Sequence, residues 1–405
     1  MKILVLTSIY PNAESTKGTT PVVHYFCQEW VKQGHKVVVI HNDNKYLLFF
    51  YILPEFIKRY IESRFGVVLP NMAMRKDKFF EKDGVLILRM PMLKIIPFGK
   101  FSKNRLNNQI KKINSFLDKE DFKPDVITGH WENPQIDLIF KLKKRYCNVK
   151  TSLIVHTVGY LADKNMRNKL LSFDSIGFRN KKLLNNFVQN YLIERKNLYL
   201  CPSGLPNIFF ESINYTNIEF KFKIEVLTIV YVGIFQKRKF PESIVKAVYS
   251  AKEEIDIKVD FIGEGNELKK VKKLVNEYKL DDKVVFHNRV SRDSVKEILL
   301  RNQVFVMISE NEAFGLVYLE AMSCGCIVIA SKNEGFDGII NDGFNGFLCK
   351  AGDDVELFQI LLKIDKLSLE EKTVISKNAI DTASVLTNEY VSKQYLKNLL
   401  AESSI

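Results

Sequence analysis

Short apolar runs alternate with longer segments of helical periodicity along most of the chain. The runs are rich in valine and isoleucine, which is typical of the buried strands of a parallel sheet. Strands are predicted at 2–7, 36–41, 85–89, 123–130, 151–155, 197–201, 228–232, 258–262, 284–286, 303–308 and 328–330. Because strands and helices alternate, the pattern predicts an α/β fold with doubly wound sheets.

The stretch 303–330 is the most informative part of the sequence. It contains an apolar run at 303–308, a helical segment from 316 that Gly325 ends, and a second apolar run at 328–330. This order predicts a βαβ unit. Ligands of open α/β sheets bind at the carboxyl ends of the strands, which is where the loop between the first strand and the helix must lie.

That loop carries groups that suit a phosphorylated sugar. Gly315 allows a close approach of the backbone, and the N–H groups of Phe314, Gly315 and Leu316 open a helix, where anions bind. Glu312 lies in the loop and Glu320 lies in the helix, and carboxylates accept hydrogen bonds from paired hydroxyls. The alternative is that the two acids are solvated and flank the start of a helix.

The spacing from Glu312 to Glu320 has Phe-Gly-Leu inside it and Glu-Ala-Met-x-x-Gly at its end. It resembles the E-x7-E signature of the retaining glycosyltransferases of family 4. The resemblance implies the GT-B fold, with two Rossmann-like domains facing across a cleft. It also implies that Glu320 holds the ribose diol of a nucleotide and that Glu312, as a catalytic residue, holds the hydroxyls of the donor sugar.

Three residues in the first half fit the same family. His130 and His156 each stand at the carboxyl end of a predicted strand, and such positions face the ligand crevice. The resemblance implies that His156 is catalytic and contacts the transferred sugar, and we place His130 on the acceptor. Gly18 lies in the first βα loop, where the family approaches the donor phosphate. Capping roles for the histidines and a plain turn at Gly18 are the alternatives.

A basic turn follows the strand at 228–232 and begins with Gly233. In the family, an arginine follows this glycine and a lysine comes some residues later, and both bind the donor diphosphate. Here Ile234 stands at the arginine position and Lys239 matches the lysine, so Arg238 or Lys237 is left to supply the second cation. A solvated basic turn is the alternative.

Two more loops complete the predicted donor site. Gly265 belongs to a Gly-Glu-Gly turn, and Arg289 and Val290 follow the strand at 284–286. The resemblance implies that they contact the nucleotide. The sequence contains no Asp-x-Asp pair, no Walker lysine loop and no dinucleotide fingerprint. We therefore expect no cofactor and no metal ion.

At 405 residues, the chain is long enough for two domains. Residues 1–205 are predicted to form a Rossmann-like acceptor-binding domain, and residues 206–387 a Rossmann-like domain that binds the nucleotide sugar. We interpret 211–225, which are polar and mixed, as the linker between them. The resemblance implies that a last helix, within 388–405, crosses back to the first domain.

Basic charge is concentrated in the first half. Residues 1–205 hold 34 Lys and Arg against 17 Asp and Glu, a net charge of +17, while the whole chain carries +13. No nucleic-acid-binding signature accompanies this excess, which favours an anionic membrane surface as the partner. The aromatic and apolar stretch 46–53 precedes Lys58 and is too short to span a bilayer, although it suits the headgroup level. An inserted core helix is the alternative.

The chain contains no run of about 18 uncharged apolar residues and no signal-peptide pattern at its start. Its six cysteines are scattered without metal spacing, so we expect reduced thiols. These features predict a cytoplasmic protein, peripheral on the inner face of the plasma membrane.

The observations and the resemblance together predict a retaining, metal-independent hexosyltransferase of a bacterium. It would move a hexose-type sugar from a nucleotide-diphosphate sugar, with UDP favoured, to a lipid-linked glycan in the biosynthesis of surface or capsule polysaccharide. Two other functions stay open. One is a nucleotide-sugar epimerase on the same fold, and the other is a non-catalytic membrane-docking subunit of a glycan assembly complex.

Overall fold

The computed structural model describes residues 1–11, 20–65, 69, 72–95, 99–157, 159–191, 197–210 and 215–401. The chain divides into two compact units. Unit 1 comprises Met1–Arg179, Leu183–Cys201 and Asn388–Ile405, and unit 2 comprises Asn180–Lys182 and Pro202–Thr387. Gly18, the predicted phosphate contact of the first loop, lies outside the described residues.

Unit 1 is built on a mainly parallel sheet. Its strands are β1 (Lys2–Thr7), β2 (Lys36–His41), β3 (Asn44–Lys45), β4 (Lys78–Lys82), β5 (Val85–Arg89), β6 (Met92–Leu93), β7 (Val126–His130), β8 (Lys150–Val155), β9 (Ser175–Phe178) and β10 (Leu198–Leu200). Within the described residues, the main sheet has the order β10-β9-β8-β7-β1-β2-β5-β4, and β3 pairs with β6. In the main sheet, β4 runs antiparallel to β5.

Helices connect these strands and cover the sheet. They are α1 (Val22–Lys32), α2 (Phe49–Ile52), α3 (Glu55–Phe65), α4 (Lys103–Lys119), α5 (Gln135–Arg145), α6 (Lys164–Leu171) and α7 (Lys181–Tyr191). The parallel register places Thr7 of β1 beside His41 of β2 and beside His130 of β7. The carboxyl edge of the sheet therefore gathers polar side chains above an apolar core.

Unit 2 has a second, parallel sheet. Its strands are β11 (Leu227–Val232), β12 (Ile257–Ile262), β13 (Val284–His287), β14 (Val304–Met307), β15 (Ile327–Ser331) and β16 (Phe347–Cys349). Their order is β13-β12-β11-β14-β15-β16. The helices are α8 (Tyr215–Phe222), α9 (Pro241–Ala251), α10 (Leu268–Glu277), α11 (Arg292–Arg301), α12 (Leu316–Ser323), α13 (Asp354–Lys366) and α14 (Leu369–Val385). This unit has its own apolar core.

The last helix, α15 (Asn388–Leu400), returns to unit 1. Tyr395 packs between Phe26 and Trp30 of α1, with ring centroids 5.1 Å away from each. Its hydroxyl lies 2.6 Å from the Thr128 hydroxyl of β7, and the Trp30 indole donates to the Ser392 carbonyl at 3.0 Å. Both buried polar groups are therefore satisfied, which fixes the helix on the unit 1 core.

The predicted linker at 211–225 is wrong for residues 215–222, because these form α8. Ile218 and Phe222 are buried in the core of unit 2. Lys221 is also buried, and its Nζ atom donates to the carbonyls of Cys324 at 2.9 Å and Leu299 at 3.3 Å. The segment looked like a linker because a lysine stands among its few apolar residues, but carbonyl acceptors make the burial of that lysine possible.

Four of the eight side chains in the apolar stretch 46–53 are exposed. Tyr46 is buried, whereas α2 contributes no buried side chain, and Leu48, Phe49 and Ile52 are 59%, 52% and 82% exposed. The described residues include no helix that is both long enough and apolar enough to cross a bilayer. The alternative of a core helix therefore does not describe α2.

Candidate functional site

The sheet of unit 2 reverses its direction of winding between β11 and β14. Strands β12 and β13 follow in order on one side of β11. The chain then crosses to β14 on the other side of β11, and β15 and β16 follow beyond it. The loops that follow β11 and β14 therefore separate at the carboxyl edge, and this is where ligands bind in doubly wound folds. These two loops carry the predicted cations and the predicted Glu312.

A compact ionic cluster joins the two loops. The Oε2 atom of Glu312 lies 3.3 Å from Nη1 of Arg238 and 3.6 Å from Nζ of Lys239. Burial lowers the pKa of the Lys239 ammonium, and the charge of Glu312 opposes that shift. Arg238 therefore lies beside Lys239 and Glu312, whereas Lys237 is exposed. A main-chain hydrogen bond joins the same two loops, because the Glu310 N–H donates to the Arg238 carbonyl at 2.8 Å.

Two of the predicted glycines support this cluster by leaving space. A Cβ atom at Gly233 would lie 3.3 Å from Nζ of Lys239, so the glycine makes room for the ammonium group. A Cβ atom at Gly265 would lie 2.4 Å from the carbonyl oxygen of Phe235. The turn at Gly265 therefore packs its main chain directly against the loop that carries the cations.

Helix α12 begins at the predicted anion site. Gly315 precedes it with φ +79°, and a Cβ atom there would lie 2.5 Å from the ring of Tyr318. Phe314 is buried, and its ring meets Phe336 edge-on at 5.5 Å. Among the described residues, no acceptor is found for the N–H groups of Gly315 and Leu316. The start of α12 thus keeps donors available on a rigid base.

Glu334, which the sequence analysis did not assign, holds the loop in place. Its Oε2 atom accepts the main-chain N–H of Glu312 at 3.2 Å. The next residue, Gly335, packs so closely that a Cβ atom would lie 2.4 Å from the Glu312 carbonyl oxygen. A main-chain N–H can be bound by a carboxylate at any distance along the sequence. No sequence pattern therefore identifies a residue such as Glu334.

The other predicted carboxylate, Glu320, is buried in α12 and has a partner that was also not predicted. Nε of Arg292 donates to its Oε1 atom at 2.9 Å, and Nη2 of Arg292 bonds the same oxygen. Of the neighbouring residues predicted to contact the nucleotide, Arg289 is exposed and Val290 packs against the core.

In unit 1, His130 and His156 lie side by side. Nδ1 of His130 is 3.4 Å from Nε2 of His156, and Nε2 of His130 is 3.4 Å from the Tyr395 hydroxyl. His130 is fully buried, whereas His156 is half-buried and stacks on Trp131 at 4.2 Å. Burial, followed by the charge of Arg179, holds the pKa of both imidazoles well below the usual range. Both rings are therefore neutral near pH 7.

Glu132 is a further residue that the sequence analysis missed. Its Oε1 atom accepts the main-chain N–H groups of His156 at 2.6 Å and Thr157 at 2.8 Å. Burial raises the pKa of this carboxyl, and the hydrogen bonds from the main chain oppose that shift. Its position directly after β7 could have suggested a role, but the two histidines carried the recognisable pattern.

No group of three His, Cys, Asp or Glu side chains in the described ranges is arranged to hold a metal ion. The six cysteines are free thiols, and Cys147 is the exposed one.

The sequence of unit 2 matches a known family. Residues 216–382 match the description "Glycosyl transferases group 1". This part of unit 2 is therefore similar to a group 1 glycosyltransferase domain. The matched residues include the Arg238, Lys239 and Glu312 cluster and the whole of α12, so the resemblance to glycosyltransferases is confirmed at the level of group 1.

The chain is also similar to individual known proteins. The chain is 34% identical over 125 residues to N-acetyl-alpha-D-glucosaminyl L-malate synthase of Bacillus anthracis, and this match spans 31% of the chain and only 32% of that enzyme. It is 26% identical to an uncharacterized glycosyltransferase of Methanocaldococcus jannaschii, over 74% of this chain and 80% of that protein. Anabaena HepE, solved in complex with UDP, gives a TM-score of 0.70 at 14% identity, covering 98% of this chain and 99% of that one. The structural likeness confirms the GT-B fold.

The bonds of Glu132 generate a prediction for unit 1. Glu132→Ala removes the oxygen atom that accepts the N–H groups of His156 and Thr157. We expect a loss of about 1–3 kcal/mol in the free energy of unfolding, the usual cost of an unsatisfied buried polar group. Trp30 and Trp131, the two tryptophans of the chain, both lie in unit 1, so tryptophan fluorescence during urea unfolding measures that unit alone.

The matched control is Glu120→Ala, which removes an exposed carboxylate of the same unit. It should leave the midpoint of unfolding unchanged. Equal midpoints for Glu132→Ala and the wild type would show that Glu132 does not hold the His156 main chain.

Proposed function

We propose that the chain is a retaining glycosyltransferase of family 4 that moves a hexose-type sugar from a nucleotide-diphosphate sugar to a glycan. The observation that carries the proposal is the cluster of Arg238, Lys239 and Glu312 at the switch point of a group 1 domain. A departing nucleoside diphosphate develops negative charge, and two cations beside an open helix start would stabilise it. We favour a UDP-sugar because Anabaena HepE was solved with UDP.

The ionic cluster also suggests how Glu312 becomes available to the sugar. Without a donor, Glu312 neutralises Lys239, whose side chain is only 12% exposed. A diphosphate brings negative charges that compete for the same cations. Its binding would therefore free the Glu312 carboxylate to accept hydrogen bonds from the donor sugar, while Glu334 keeps the Glu312 main chain in place.

The remaining residues take supporting roles in the proposal. Glu320 would bind the ribose diol, and the neutral imidazole of His156 would hydrogen-bond the transferred sugar. His130 would act on the acceptor only through His156, because its own side chain has no exposed surface. Further donor contacts are proposed at Gly18, Gly233, Gly265, Arg289, Val290, Phe314, Gly315 and Leu316.

The first test of this function is Lys239→Ala. Loss of this cation should lower kcat/KM with a cognate UDP-hexose by on the order of 100-fold, the usual effect of removing one group that stabilises transition-state charge. Sugar transfer and UDP release are measured together over a panel of UDP-hexoses. Lys246→Ala removes an exposed lysine of α9 and serves as the control.

Normal turnover by a folded Lys239→Ala enzyme would refute the assignment of the phosphate contact. Release of nucleotide by the wild type without sugar transfer to any acceptor would instead indicate an epimerase on the same fold.

The second test concerns metal ions. Arg238, Lys239 and the N–H groups at the start of α12 supply the positive charge that the diphosphate needs, so we propose transfer without a divalent ion. Incubation with EDTA and removal of the chelate should leave the transfer rate unchanged within error. A strict requirement for added Mg²⁺ or Mn²⁺ would contradict this mechanism.

We further propose that unit 1 docks on an anionic membrane surface and that the acceptor glycan is lipid-linked. Phe49 and Ile52 of α2 are exposed, and Phe56 and Tyr60 of α3 continue the series at 73% and 67% exposure. Within each helix the two exposed apolar side chains lie three or four residues apart, and therefore on the same side of that helix. An amphipathic face of this kind lies at the headgroup level rather than across a bilayer.

Charge supports this choice of partner. Residues 1–205 carry a net charge of +17, and each Lys or Arg near an anionic leaflet adds about 1 kcal/mol of attraction. Lys76, Lys78 and Lys82, which follow α3 in the chain, are exposed. Glu55 and Glu62 of α3 reduce the local excess without reversing it.

The docking proposal predicts a loss of lipid binding in the variant Phe49→Ser/Ile52→Ser/Phe56→Ser. Wild-type protein should sediment with vesicles that contain anionic lipid at low salt, and the variant should stay in the supernatant. Phe344→Ser, which removes an exposed aromatic ring from unit 2, is the matched control and should still bind. Equal binding of the folded triple variant, or no binding of the wild type, would overturn the docking face.

A further inference from the structure

The two oxygen atoms of the Glu320 carboxylate differ in their hydrogen bonds. Both hydrogen bonds from Arg292, from Nε at 2.9 Å and from Nη2, fall on the Oε1 atom. Among the described residues, Oε2 receives no hydrogen bond. Because a carboxylate held by a guanidinium is an acceptor only, Oε2 remains available to a donor such as a hydroxyl group.

The guanidinium of Arg292 is itself held in place. It lies over the ring of Phe209 at 5.0 Å, and Phe209 is buried in a short 3-10 turn at Asn207–Phe209. Arg292 is the first residue of α11, and the Ser291 hydroxyl caps that helix by accepting the Ser294 N–H at 3.2 Å. The aromatic face and the carboxylate thus fix the planar group from two directions.

We propose that Arg292 is a positioning residue that fixes the Glu320 carboxylate so that Oε2 alone is presented to the ribose of the donor nucleotide. The inference rests on the proposed function, which assigns Glu320 to the ribose. A single oriented acceptor binds one hydroxyl firmly, whereas a carboxylate free to rotate loses that advantage to conformational entropy. Arg292 therefore contributes to the discrimination between ribonucleotides and deoxyribonucleotides.

This role differs from simple structural support in a measurable way. A residue that only stabilises α11 or the core would affect all nucleotides equally when removed. A residue that orients Oε2 would affect only those nucleotides that carry the hydroxyl bound by Oε2. The ratio of two dissociation constants, for UDP and for its 2′-deoxy or 3′-deoxy analogue, separates these two cases.

The experiment measures the Kd of UDP, 2′-deoxy-UDP and 3′-deoxy-UDP by calorimetry for the full-length protein and its variants. Wild-type protein should bind UDP at least about tenfold more tightly than one of the deoxy analogues, the equivalent of about 1.4 kcal/mol. Arg292→Ala should weaken UDP binding about tenfold and leave that deoxy analogue unchanged, so that the ratio approaches one. Arg292→Lys should restore part of the ratio.

The chain offers a close control in Lys296. It lies one turn further along α11, and its Nζ atom is over the same Phe209 ring at 5.4 Å. Its Nζ atom donates to the Ile208 carbonyl at 3.2 Å. Lys296→Ala removes a cation from the same ring and should leave the ratio at its wild-type value. Arg292→Gln provides a second, uncharged variant if Arg292→Ala does not fold.

Three results would overturn the inference. An unchanged ratio in folded Arg292→Ala or Arg292→Gln, or an equal loss of affinity for all three nucleotides, would make Arg292 a merely structural residue. A wild type that binds UDP but discriminates against neither deoxy analogue would remove Glu320 from the ribose and leave the rest of the proposed function standing. A wild type that does not bind UDP would overturn the proposed UDP donor, and the inference would fall with it.

Discussion

A lysine that is largely removed from water requires an opposite charge, and in unit 2 this requirement links the loops that form the candidate site. Desolvation of an ammonium group costs several kcal/mol even after relaxation. Lys239 meets that cost through Glu312, which also lies close to Arg238. The loop after β11 and the loop after β14 are therefore joined by charge. A diphosphate that entered the cluster would find Lys239 already largely removed from water, which would strengthen their attraction.

The parallel sheets determine where such clusters can form. In unit 2, the strand order reverses between β11 and β14, and the two loops with the charged side chains leave the sheet at that point. In unit 1, the order reverses between β1 and β7, and the register places Thr7 beside His130 there. Both candidate sites thus follow from one property of doubly wound sheets, although their side chains differ entirely.

The sequence was sufficient to predict most strands and the residues that belong to family motifs. Glu312 and Lys239 stand in recognisable patterns, and the structure brings them together. Arg292 could not be predicted, because its partner Glu320 is 28 positions away and no spacing rule connects them. The helix at 215–222 was missed for another reason. Polarity marks a linker only if the polar groups face water, and Lys221 instead finds acceptors inside the core.

Two buried glutamates that the sequence did not reveal perform the same task in the two units. Glu132 follows β7 and accepts the main-chain N–H of His156, which follows the neighbouring strand β8. Glu334 follows β15 and accepts the main-chain N–H of Glu312, which follows the neighbouring strand β14. In each unit, a carboxylate from one loop thus fixes the backbone of a candidate catalytic residue in the adjacent loop. Because a main-chain N–H belongs to every residue except proline, such bonds leave no trace in the identity of the residue they hold. The side chains that carry the chemistry can therefore be found from sequence, whereas the groups that hold them in position become visible only in the structure.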